Sequence, residues 1–102
     1  MTTEADVKLA AIANARDLAE GVYRASTDVA RAWHRLVSAR YELRAAQVQA
    51  HPASASDQLT LERLADLLSA RATEHQAAQE AERTALTAWR TANSGLGRRG
   101  LQ

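Results

Sequence analysis

Three histidines, His34, His51 and His75, are the first residues in this chain to weigh for chemistry. Imidazole serves both as a metal ligand and as a proton carrier near neutral pH. Two ligands on one helical face need His-x-x-x-His or Glu-x-x-His spacing, and the stretch Arg71-Ala72-Thr73-Glu74-His75 offers neither. A fold-back of the chain brings His34 towards Glu74 or His75, but a solvated or seam histidine explains each residue more simply. Serine and threonine fall mainly in expected caps, loop and helix surface, away from any converging base. Gly95-Leu96-Gly97-Arg98-Arg99-Gly100 lacks the lysine and flanking strand of a phosphate loop. No catalytic, cofactor-binding or metal residue is assigned, and the chain is read as a protein other than an enzyme, with no small-molecule substrate.

Arginines are the other chemical resource. Arg24, Arg31 and Arg35 share an outer helix face, and Arg98 and Arg99 lie near the C-terminus. They could meet phosphates, but Asp17, Glu20 and Asp28 interrupt the same face, and intrahelical pairing accounts for it. Nucleic acid is therefore not the expected partner. A net charge of +1 argues neither way.

The elements that would position these residues are helical. Alanine occurs 24 times and phenylalanine not at all, so helix propensity is high and large apolar area scarce. A core this thin is usually completed by oligomerisation or a partner. The single proline, Pro52, sits in His51-Pro52-Ala53-Ser54-Ala55-Ser56 and marks a loop. Residues 1–3 form an N-terminal cap, 4–50 helix 1, 51–56 the loop, 57–93 helix 2 and 94–102 a flexible basic tail. Ser56 or Asp57 is expected to cap helix 2, and Gly95 to end it in a left-handed turn. Gly21 is a weak point at which helix 1 could kink or divide.

Helix 1 carries heptads: Val22, Val29, Leu36 and Leu43 recur at sevens, alongside Ala11, Leu18, Ala25, Ala32, Ala39 and Ala46. Helix 2 is less regular. Leu61, Leu64, Leu68 and Ala72 make a stripe that Leu86 and Trp89 resume, with His75, Gln79 and Glu82 on the same face between them. The expected fold is all-α, an antiparallel two-helix hairpin resembling a coiled coil, completed into a bundle by oligomerisation or a partner. With the loop centred near residue 53, facing residues have numbers totalling about 106. That places Arg44 by Glu62, Arg40 by Asp66, Arg31 by Glu74 and Arg24 by Glu82, with Arg35 conflicting with Arg71. Residues 8–48 carry a net +3 (Lys8 and six Arg against four acids), and residues 57–92 a net −2 (four Arg against six acids).

One partner helix covers a narrow strip, whereas the apolar surface of helix 1 spans about half its circumference. Tyr23, Trp33, Val37, Tyr41 and Val48 lie beside the seam and are the candidate protein interface. The length and helix–loop–helix outline resemble the small secreted hairpins of the WXG family, which implies leaderless export. The loop has no Trp-x-Gly, and no Tyr-x-x-x-Asp/Glu follows helix 2. Leu96-Gly97-Arg98-Arg99-Gly100-Leu101 is similar to the C-terminal peptides that load cargo into encapsulin shells, with Arg98 in place of their aliphatic residue.

The expected function is an assembly or adaptor subunit acting through helix–helix contacts with itself or with a larger complex such as a virion. A leaderless secreted hairpin and a minor nucleic-acid-associated protein are the alternatives. The acidic start, Met1 to Asp6, is unlike a signal peptide, and no apolar run reaches the roughly 20 residues of a membrane span. Cytoplasmic is the default location; virion or leaderless secretion stays open.

Overall fold

A computed structural model describes the backbone of residues 3–100 and the side chains of residues 3–94. Two α-helices, α1 (Glu4–Gln49) and α2 (Ala55–Gly100), form an antiparallel hairpin, with no strand among the described residues. Two compact units divide the chain. One spans Asp28–Ala78 and contains the loop; the other joins the residues up to Thr27 with those from Gln79 onward.

Each helix begins at a side-chain cap. Thr3 and Asp6 cap α1 reciprocally: the Thr3 N–H donates to Asp6 Oδ2 (3.2 Å) and the Asp6 N–H to Thr3 Oγ1 (3.1 Å). Hydrogen bonding from the Thr3 side chain, and then from its backbone, lowers the Asp6 pKa below the ordinary aspartate value. α2 starts two residues earlier than the sequence predicts, because Ser54 rather than Ser56 or Asp57 is its cap. The Ser54 Oγ accepts from the Asp57 N–H at 3.2 Å. Asp57 instead turns back to the loop, its Oδ2 accepting from the His51 N–H at 2.9 Å. The Ser54 N–H donates to the His51 carbonyl (3.0 Å), closing a turn around Pro52.

In the loop-containing unit, the heptad of α1 is the covered face. Ala32, Leu36 and Ala39 are buried, and Val29, Leu43 and Ala46 are half-buried. On α2 Leu61, Leu64, Leu68, Arg71, His75 and Ala78 are half-buried in line, with Asp57 at the helix start and Leu67 beside the seam half-buried as well. This corrects the expected stripe, since Ala72 and Gln79 are exposed. Passing from Leu68 to Ala72 would put two four-residue steps in succession and rotate the stripe away from α1. Passing through Arg71 keeps the three–four alternation, and the arginine's apolar stem can lie in the seam while its head reaches out.

In the other unit Ala15 is buried and Leu18, Val22 and Ala25 half-buried, as are Glu82, Ala85, Leu86 and Trp89 on α2. α1 passes through Gly21 unbroken, without positive φ. The expected stop at Gly95 is also absent: the helical backbone reaches Gly100, and no described glycine has positive φ. Glycine lowers helix propensity by about 1 kcal/mol relative to alanine but does not block the helix, and no proline follows to end it. The expected flexible tail is therefore helical in its backbone over residues 94–100. The side chains of Leu96, Arg98 and Arg99, and Leu101 altogether, lie outside the described residues.

Candidate helix-face interface

Among the described residues the chemistry-bearing side chains do not converge. His75 sits in the seam, where its ring meets Trp33 at a centroid distance of 5.4 Å, tilted 49°. His34 is exposed on the opposite flank, where Arg35, Glu42, Leu67 and Arg71 line a shallow depression. His51 is part of the turn, its Nδ1 accepting from the Ala53 N–H at 3.2 Å. Six threonine hydroxyls donate to the carbonyl four residues back in their own helix, among them Thr27 to Tyr23 and Thr91 to Thr87. Among the described residues no three His, Asp or Glu side chains gather at metal-binding distance, and no helix is long and apolar enough to cross a membrane.

The four cross-helix charge pairs expected from the register do not close into ion pairs among the described residues. The ion pair found lies within α2: Arg71 Nη1 donates to both carboxylate oxygens of Glu74, at 3.0 and 3.1 Å. Arg35 and Arg71 do share one depression, as the register requires. Glu74 thus compensates the half-buried arginine that faces another arginine, and is not held by Arg31. Partners on exposed faces lose little by staying solvated, which is why complementary numbering alone did not produce bridges.

What remains is surface. In the loop-containing unit, Trp33, Val37, Arg40, Tyr41, Arg44 and Val48 occupy one flank of α1 beside the seam. Trp33 is 44% exposed although it packs on His75, and the Arg40 guanidinium lies 5.9 Å from its ring centroid, in cation–π range. Tyr41 and Val48 are 72% and 81% exposed, while Val37 is half-buried. Val37, Arg40, Tyr41 and Arg44 line a trough of about 290 Å³. All four come from one helix, so nothing encloses it, and it suits a helix or side chain laid along it better than a captured small molecule.

Tyr23, in the other unit, is 76% exposed and borders a similar open trough with Arg16, Ala19, Glu20 and Arg24. Sequence reasoning missed four further exposed apolar residues, Val7, Leu9, Ile12 and Leu59. Extending the heptad of α1 back to residue 8 would have placed Leu9 and Ile12 off the seam. Leu59, two residues before the first seam leucine of α2, is likewise off it. Compared with known proteins, the chain matches no family model, no curated protein sequence and no solved structure.

Proposed function

We propose that the protein is a non-enzymatic assembly or adaptor subunit, working by presenting the Trp33–Val48 flank of α1 to a protein surface. The observation that carries this is the continuous flank of large apolar and aromatic side chains left exposed beside the seam, with arginines interleaved. Such a patch is unfavourable in water without a partner, and aromatic and arginine residues are typical anchors of protein interfaces. The hairpin adds a physical need for one. Among the described residues the buried ones are three alanines and Leu36, and a two-helix layer has no second layer to cover the rest. Function as a part of a larger structure, a virion for instance, suits a chain that completes its core on assembly.

Replacing Val37 by Glu together with Tyr41 by Gln tests the flank. The expected outcome is loss of self-association or partner binding, with helical content by circular dichroism largely kept. A double variant that associates as the wild type does would remove this flank from the function. The hairpin outline also supports the leaderless secreted reading, although the loop Ala50–Ser54 holds no Trp-x-Gly. Transfer of the protein to the medium by an export machine would favour that alternative.

A further inference from the structure

We infer that the partner on this flank is a second copy of the chain, in a two-fold four-helix bundle that places both loops at the same end. The inference rests on the assembly reading above and specifies its geometry. On α1 the flank consists of the residue after each seam position: Trp33 and Arg40 follow Ala32 and Ala39, and Val37 and Arg44 follow Leu36 and Leu43. Tyr41 and Val48 lie just outside them. On α2 the equivalent heptad positions are Ala65 and Ala72, then Glu62 and Ser69, with Leu59 and Asp66 just outside.

In an antiparallel pair these equivalent positions fall on the same side of the hairpin. The opposite side is the one where Arg35, Glu42 and Leu67 line a common depression. One side of the loop-containing unit therefore carries two complementary strips. The α1 strip is bulky and basic, with no acid in it. The α2 strip is small and acidic, its alanines and Ser69 allowing close approach, and it carries Leu59, which is 48% exposed.

Charge and register select the occupant. Arg44 is level with Glu62, and Arg40 with Asp66, yet neither pair is an ion pair within the chain. A two-fold axis parallel to the helices sets α1 of one copy beside α2 of the other, antiparallel and at unchanged levels. Both pairs are then available between copies, twice each by symmetry, and each basic helix has two acidic neighbours. Loops at opposite ends would lose these levels. An isologous contact of this kind also closes on itself, which a head-to-tail use of the same strips does not.

Charge reversal of the full chain gives the test. The wild type is expected to sediment as a dimer at micromolar concentration. Arg40→Glu with Arg44→Glu, and separately Glu62→Arg with Asp66→Arg, should each weaken the dimer by about 100-fold or more through like-charge contact. An equimolar mixture of the two variants should regain a dimer, because both of its interfaces are again complementary. Spin labels on a cysteine at Ala53 should lie within roughly 30 Å of each other in the wild-type background, the span of neighbouring helices and their labels. Opposed loops, with the same strips centred on each other near residue 41, would separate them by about 40 Å, because Ala53 lies roughly 12 residues beyond that centre in each copy, at 1.5 Å a residue, with the lateral spacing of the helices added.

A wild-type monomer at about 100 µM overturns the inference, as would charge-reversed variants that stay dimeric, or distant labels. If a variant loses its helices and the mixture does not restore them, the label distance decides. Distant labels in a dimer that the Val37/Tyr41 variant still disrupts would sink this geometry while leaving assembly through the flank standing.

Discussion

Gly21 and Asp6 show how single residues tune α1. Gly21 is exposed in the middle of a regular helix, and a Cβ built on it meets nothing within 4 Å. Gly21→Ala should therefore stabilise the protein by roughly 0.5–1 kcal/mol, measurable as a higher urea midpoint with unchanged slope. Asp6 acts through charge. Its folded-state pKa is lowered, so its contribution is present above the unfolded value of about 3.9 and is lost as pH falls through the folded value. An NMR titration should place the Asp6 carboxyl below that value in the wild type, and Thr3→Ala should return it towards normal. Fraying of the first turn of α1 is expected to accompany acidification. An unshifted Asp6 would mean that the reciprocal cap is not populated.

Along each helix, packing and capping decide where substitutions are costly. Leu36 is 5% exposed, the largest of the buried side chains, and sits among buried alanines that let the helices approach closely. Leu36→Ala should cost about 2–4 kcal/mol in chemical denaturation, whereas Val48→Ala in the isolated chain should stay within roughly 0.5 kcal/mol. At the start of α2, Ser54 holds the Asp57 N–H while Asp57 holds the loop through His51. Ser54→Ala should cost about 1 kcal/mol, and Ser56→Ala much less, since the Thr60 hydroxyl donates to the Ser56 backbone carbonyl, which the substitution keeps. Equal effects at both positions would mean that the helix starts where the sequence alone predicts.

For the molecule as a whole, the antiparallel pairing is itself testable. Ala39 is buried and Leu68 half-buried at matching levels of the hairpin, so cysteines at these positions should crosslink within one chain. Crosslinking only between chains would show that the helices open and pair intermolecularly. The flank away from the seam bears on partners. Arg24 and Arg31 alternate with Glu20 and Asp28 there, so association with DNA or RNA should be absent at physiological salt. Micromolar binding that falls steeply with added salt would contradict this and direct mutagenesis to those arginines.

Much of the architecture was legible from local signals alone. Alanine-rich composition and the heptad of Val22, Val29, Leu36 and Leu43 specify a long amphipathic helix, and Pro52 with its small polar neighbours specifies the reversal. These are properties of a few adjacent residues, and the hairpin follows from them. Tertiary packing decided what local pattern left degenerate. Leu68 has Arg71 three residues on and Ala72 four residues on, and hydrophobicity favours the alanine. The arginine wins because only an unbroken three–four alternation keeps α2 facing α1. Likewise Ser54, Ser56 and Asp57 are all adequate caps by type, and the turn around Pro52 selects Ser54 by leaving Asp57 to bind His51. The charge pairs mark the opposite limit: residue numbering sets the level at which Arg40 meets Asp66 and Arg44 meets Glu62. Only the rotation of each helix about its axis, fixed by the buried seam, shows that these groups lie on the outer flank, where a pair within the chain gains little over water.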